Sequence, residues 1–233
     1  MHLCWNNTSL REQENRNVTK KWIRLAVGTT LFLLTMSTIA AAEPDFDFRT
    51  KFGTSAGAEK MTLGSSSADM ARSSSSNIQL EFAMSPPVKG PISYVVDFGV
   101  FSRKHSGKIE DTVYPTNVHY KTVGLSLGAG IVLKPVENFH LEGKVEIARG
   151  KGQPDLSTPG IAWNERGDGT YSATSVILGG YYTFSAPGFQ LGLELGTQSF
   201  DGKFKIWNNN GYWTDGSVKG NGATANVTLG YRF

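Results

Sequence analysis

From residue 43 to the C-terminus, apolar and polar residues alternate with a period of two in eight separate runs, and no helical period of 3.6 persists. The first run sets Phe46, Phe48, Thr50 and Phe52 against Asp45, Asp47, Arg49 and Lys51. The second sets Ile78, Leu80, Phe82 and Met84 against Asn77, Gln79 and Glu81, and the third sets Ile92, Tyr94, Val96, Phe98 and Val100 against Ser93, Asp97, Gly99 and Arg103. In the fourth, Val123 to Leu133 alternate with Gly124, Ser126, Gly128 and Gly130; in the fifth, Phe139, Leu141, Val145 and Ile147 oppose His140, Glu142, Lys144 and Glu146. The sixth carries Val176, Leu178, Tyr182 and Phe184, and the seventh opposes Phe189, Leu191, Leu193 and Leu195 to Gln190, Gly192, Glu194 and Gly196. The last runs Val227, Leu229, Tyr231 and Phe233 against Asn226, Thr228, Gly230 and Arg232. The pattern predicts an all-β chain.

A soluble β-sandwich would also give one apolar face per strand. Three features point instead to an eight-stranded, antiparallel, up-and-down transmembrane β-barrel. The connections alternate in length: short turns at 85–90, 134–138 and 185–188, and long polar stretches at about 56–76, 104–117, 150–170 and 201–221. The aromatics Phe46, Phe48, Phe82, Tyr94, Phe139, Tyr182, Phe184, Phe189, Tyr231 and Phe233 gather near the short-turn rim as a girdle, with a thinner one expected around Tyr120 and Tyr171 at the other end. The last run alternates Val227, Leu229, Tyr231 and Phe233 up to the terminal aromatic, where a sandwich has no reason to stop. The strand count follows from length, since the 191 residues from 43 onward allow about 24 for each of eight strands with its connection, enough for a span of about 9 to 11 tilted residues.

Upstream, Lys20, Lys21 and Arg24 precede an apolar run from Leu25 to Ile39 that closes on Ala40, Ala41 and Ala42. This is the layout of a secretory leader, cleaved between Ala42 and Glu43, and the run is too short for a spanning helix. Residues 1–42 are therefore read as leader and 43–233 as barrel. The polar stretch before the basic residues is over-long, and Val18 is a candidate for the natural start. The formal charge of +3 belongs to the leader, since residues 43–233 hold eighteen bases and eighteen acids. The basic overall charge therefore gives no ground for a nucleic-acid partner, and none is expected. The single cysteine, Cys4, also lies in the leader, so disulfides do not hold the barrel.

The leader ending in Ala40, Ala41 and Ala42, the fourth and fifth runs with their tight turn, and the terminal Leu229-Gly230-Tyr231-Arg232-Phe233 resemble the small eight-stranded outer-membrane barrels, of the OmpX/Ail attachment-protein group or the OmpA transmembrane domain. The resemblance implies a multi-pass protein of the bacterial outer membrane. It implies contact with outer-membrane lipids and lipopolysaccharide, and delivery by periplasmic chaperones and the barrel-assembly machinery, which would read Val227, Leu229, Tyr231 and Phe233. It also implies that the peptidoglycan-binding domain of full-length OmpA-type proteins is missing after residue 233.

An eight-stranded barrel is just wide enough for its side chains to fill. Arg49, Lys51, Arg103, Lys144 and Arg232 face inward with Glu81, Asp97, Glu142, Glu146 and Glu194, and are expected to form a mutually satisfied charge network rather than an ion path. The inward glycines 124, 128, 130, 179, 192 and 196 are expected to leave room for water. Function is expected in the outer loops, where Trp163, Trp207, Tyr212 and Trp213 are candidate contacts for a host or cell-surface ligand. A small porin-like channel is the alternative, and a lipid A-modifying enzyme comes third. Lipid A deacylases resemble one another in a His-x-Ser motif, and this chain has none; His105 stands next to Ser106, His140 points inward, and His119 has no evident acidic partner. No cofactor or metal is expected.

Overall fold

The computed structural model describes residues 45–63, 66–86, 91–109, 116–158, 161–185, 187–207 and 213–233. The leader, including Val18, Ala40, Ala42 and Glu43, lies outside these residues. Eight strands follow in order: β1 (Asp45–Leu63), β2 (Ser66–Ser85), β3 (Ile92–Ile109), β4 (Thr116–Val136), β5 (Phe139–Thr158), β6 (Ile161–Thr183), β7 (Gly188–Trp207) and β8 (Trp213–Arg232). Each pairs antiparallel with the next, and β8 pairs with β1 in register from Asp47↔Arg232 to Leu63↔Gly216, closing an up-and-down barrel.

The long polar stretches expected as loops are strands. Each strand runs 18 to 23 residues, which at about 3.3 Å per residue and a tilt near 40° gives a height of roughly 45 to 58 Å. That is about twice the ~25 Å apolar band of a spanning barrel. The connections opposite the short turns shrink to 64–65, 110–115, 159–160 and 208–212.

The physical reason is an inversion of faces along each strand, well seen in β7. In its first half Leu191, Leu193 and Leu195 are exposed, while Gln190, Glu194 and Gln198 are buried. Beyond Gly196 the outward positions are Thr197, Ser199, Lys203 and Lys205, and the buried ones are Phe200, Phe204 and Ile206. The alternation keeps its phase, but the chemistry changes sides. Polar-out pairing outlasts the bilayer because the aqueous half has an apolar core of its own, built from Met61, Met70, Phe101, Val118, Tyr120, Leu156, Tyr171, Phe200, Phe204, Ile206 and Val218.

Tyr120 and Tyr171 therefore form no second girdle: both point inward and are buried in this core. At the short-turn end the rim aromatics do face outward. Phe46 stacks on Phe82, Tyr182 meets Phe184 edge-on, and Tyr231 touches both Phe189 and Phe233.

Candidate functional site

The membrane half of the lumen is filled by ions. Arg49 sits at its centre, fully buried, because its position on β1 alternates inward with Asp47 and Lys51. Its guanidinium bonds Glu142 on β5 at 2.8 Å, Glu81 on β2 at 3.3 Å and Gln190 on β7 at 3.1 Å, pairs with Asp47, and lies 4.2 Å from the centre of the Tyr181 ring. Lys144 reaches Glu81 and Asp97 at 2.9 Å each and Glu194 at 3.7 Å. Lys51 pairs with Glu81 and with Glu194, the latter at 2.8 Å. Arg232 clamps Asp47 with bonds of 2.7 and 2.9 Å. His140 bonds Glu142 at 3.1 Å and stacks on Tyr181. This connected network ties β1, β2, β3, β5, β6, β7 and β8 together.

Above it lies a thinner polar layer. Arg103 bonds Glu146 at 3.2 Å, Asn77 at 3.1 Å and the Tyr171 hydroxyl at 3.3 Å, while Gln79 bonds Glu146 at 2.8 Å and Ser126 at 3.1 Å. A cavity of about 20 Å³ remains among Lys51, Asn77, Arg103, Glu146, Glu194 and Gln198. It has room for about one water molecule. The aromatic core then closes the aqueous half. His105 is buried in it, 4.2 Å from the Phe200 ring and bonded to Glu59 at 3.2 Å.

All ten inward charges proposed from the sequence lie in these layers. Asp47 belongs with them, so six carboxylates face five cations there, and Asp97 Oδ1 has no hydrogen-bond partner. Charge balance is therefore not exact. Parity had already placed Asp47 on the correct face; what singles it out is Arg232, its neighbour only across the β1–β8 closure. Tyr181, the other residue missed, is seated by glycines. A Cβ at Gly192 would lie 2.3 Å from its ring and one at Gly179 would lie 2.7 Å away. A Cβ at Gly128 would meet the Asp97 carboxylate at 2.5 Å. These glycines make room for side chains, not for water. At Gly124, Gly130 and Gly196 the space is taken by the backbone of the neighbouring strand.

Two trios of ligand-type residues, Asp47/His140/Glu142 and Glu81/Asp97/Glu146, are close enough to share a metal ion. Each of their carboxylates is already paired with Arg49, Arg232, Lys144 or Arg103. Chemically they are halves of ion pairs.

Outside, the half of every strand next to the short turns exposes apolar side chains: Phe48 and Phe52, Ile78 and Leu80, Phe98 and Val100, Leu125 and Leu127, Val145 and Ile147, Val176 and Leu178, Leu193 and Leu195, Val227 and Leu229. A continuous apolar belt around a closed barrel with an ionic interior is stable only if hydrocarbon surrounds it. The chain is an outer-membrane β-barrel. Solved structures to which it is similar include the outer membrane protein OprG from Pseudomonas aeruginosa (14% identity, 81% of this chain and 95% of that one, TM-score 0.44). Others are the outer membrane protease OmpT from Escherichia coli (8%, 83% and 98%, 0.49) and the attachment invasion locus protein Ail of Yersinia pestis (13%, 81% and 98%, 0.36). No family model and no curated protein matches the chain.

In this barrel the terminal residues Val227, Leu229 and Phe233 are exposed on the belt, and the Phe233 amide bonds the Phe46 carbonyl at 2.9 Å across the closing seam. Among the tryptophans expected in loops, Trp163 falls within β6, and Trp207 and Trp213 are paired at the tips of β7 and β8. Trp213 is exposed, and Tyr212 lies outside the described residues. The Ser106 Oγ and His119 Nδ1 are 3.0 Å apart, and Asp155 stands opposite His119 in register. That row supplies the acidic neighbour not evident in the sequence. Among the described residues, however, Asp155 and His119 form no ion pair.

Proposed function

We propose that this protein is a non-conducting surface-interaction barrel, in which the membrane half anchors a rigid β-extension that contacts host, neighbouring-cell or lipopolysaccharide ligands. The observation that carries this reading is the doubly closed lumen beneath a protruding extension. An ion crossing the barrel would have to displace Arg49 and Lys144 from five carboxylates and then pass the packed aromatic layer. The extension, in contrast, holds its outward residues on paired strands, so a contact there needs little ordering on binding. Catalysis forms no part of this role.

The test is adhesion. Cells displaying the wild-type barrel are expected to bind a ligand surface that cells with a shortened extension do not. The shortened form lacks the matched tips of β7 and β8 from 205 to 215, bridged by Asn-Gly. Equal adhesion by both, with equal amounts of folded barrel, would refute the reading.

A further inference from the structure

The outward side of the extension is not electrically uniform. On β6, β7, β8, β1 and β2, among the residues whose side chains are described, the outward cations Lys60, Lys203, Lys205 and Lys219 are matched by Asp69, Asp168, Asp201 and Asp215: Lys60 lies opposite Asp69, Lys205 is 3.7 Å from Asp215, and Lys219 is 3.6 Å from Asp201. On β3, β4 and β5 the first outward charges beyond the belt are Lys104, Lys121, Arg149 and Lys151, all exposed. Among the described residues none of the four has a carboxylate within ion-pair distance. On these three strands the outward carboxylates are Asp155, on the side away from the membrane, and Glu137 at the far turn.

The register concentrates the four charges. Lys104 and Lys121 are directly opposite each other, Lys151 faces Val123, and Arg149 faces Leu125. Lys121 lies opposite Gln153, which makes Lys151 its diagonal neighbour on β5. Like charges directly opposite in a sheet are destabilising, with Cβ atoms only about 5 Å apart. Flanking positions are neutral: Ser76 beside Lys104, and Ser172 and Thr170 beside Arg149 and Lys151. Among the described residues nothing offsets this repulsion, so a counter-charge from outside the chain would relieve it.

The height of the patch identifies the source. Val100, Val123 and Ile147 are the last exposed apolar residues on their strands, and the four cations follow two or four positions on. The patch therefore lies at the level of the outer-leaflet headgroups, flush with the hydrocarbon edge. Ligands there are held by the lipid phase, and basic side chains at such a surface attract anionic headgroups. We propose that Lys104, Lys121, Arg149 and Lys151 form a lateral binding site for the phosphate groups of a phosphorylated outer-leaflet lipid of lipid A type. The three-strand width, about 10 Å from β3 to β5, allows two phosphates to be gripped by one Lys pair and one Arg–Lys pair. Arg149 supplies a fork suited to phosphate oxygens, and the lysines supply point charges.

This inference rests on the membrane placement and not on the adhesive role, and the two fail separately. The full-length protein is purified from outer membranes in mild detergent, delipidated and titrated with diphosphoryl lipid A, dephosphorylated lipid A, inorganic phosphate and a sulfated polysaccharide. The same titrations are run on Lys104→Gln/Lys121→Gln/Arg149→Gln/Lys151→Gln and on Lys60→Gln/Lys203→Gln/Lys205→Gln/Lys219→Gln. The first variant is expected to bind diphosphoryl lipid A at least about 30-fold more weakly than wild type, as loss of several headgroup contacts requires. The second is expected to change it less than about threefold, as net charge alone would do. Loss of the lipid's phosphates is expected to weaken wild-type binding as much as loss of the four cations. Equal weakening in both variants, no weakening in either, equal binding of dephosphorylated lipid, or tighter binding of inorganic phosphate or the polysaccharide than of the lipid would each overturn the site. If the fourfold variant fails to show the heat-shifted mobility of a folded barrel, Lys104→Gln/Lys121→Gln gives the same contrast at about fivefold.

Discussion

Arg49→Met is expected to destabilise the barrel by about 3 to 5 kcal/mol, the range for removing one partner of a buried ion pair. The magnitude follows from what each carboxylate keeps. Asp47 retains both bonds from Arg232, and Glu81 retains Lys51 and Lys144. Glu142 is left with His140 alone, at 3.1 Å. The cost is thus concentrated at one orphaned carboxylate on β5, together with the lost packing on Tyr181. Glu142→Gln keeps Arg49 paired with Asp47 and Glu81 and is expected to cost about 1 to 3 kcal/mol. Arg49→Met/Glu142→Gln removes the orphaned charge and is expected to fall at least about 2 kcal/mol short of the sum of the two. Lys51→Met should cost less than Arg49→Met, since Glu194 keeps the Tyr181 hydroxyl and Asn226 as donors and Glu81 keeps two cations. The assay is reversible guanidinium unfolding in lipid vesicles, followed by tryptophan fluorescence and by heat-shifted mobility. A loss under about 1 kcal/mol for Arg49→Met, or strict additivity in the double variant, would refute the account of the ionic layer.

Phe200→Ala opens a hole beneath His105 and Tyr171 in the aqueous half and is expected to cost about 3 to 5 kcal/mol in the same assay; a cost near zero would mean that half is not a packed core. Leu193→Arg places a charge in the belt and should cost about 2 to 4 kcal/mol, whereas Ser199→Arg, three turns of the pleat further along the same face, should cost under about 1 kcal/mol. Equal costs would misplace the bilayer edge. Lys205→Gln breaks a pair that is 69% and 83% exposed, so its effect should stay within about 0.5 kcal/mol. Removing the Phe233 side chain by Phe233→Ala is expected to lower the folded amount in outer membranes several-fold while leaving refolding of purified protein unchanged; equal yields in cells would remove the terminal residue from assembly.

The membrane half was legible because its alternation is chemically extreme: Leu191, Leu193 and Leu195 outward and Gln190, Glu194 and Gln198 inward can suit only one solvent arrangement. The aqueous half carries the same period. Phe200, Phe204 and Ile206 fall on inward positions between Ser199, Asp201, Lys203 and Lys205, as Val118 and Tyr120 do between His119 and Lys121. The signal was present, but the outward face there is as polar as a loop, and abundant Ser, Asn and Gly disguise a strand whose buried face is narrow. The roles of Gly192 and Gly179 were not legible for a different reason. A missing side chain can mean a void or a neighbour's ring, and only the pairing of β6 with β7 shows that Tyr181 fills the space.

The closed lumen is tested most directly by recording current across a planar bilayer containing the refolded wild-type barrel at both polarities in 1 M salt, an ionic strength at which the Debye length is about 3 Å. No unitary steps are expected, because the Arg49 layer and the Phe200 layer each block the path. Stable, reproducible unitary steps from the folded protein would contradict a barrel closed twice.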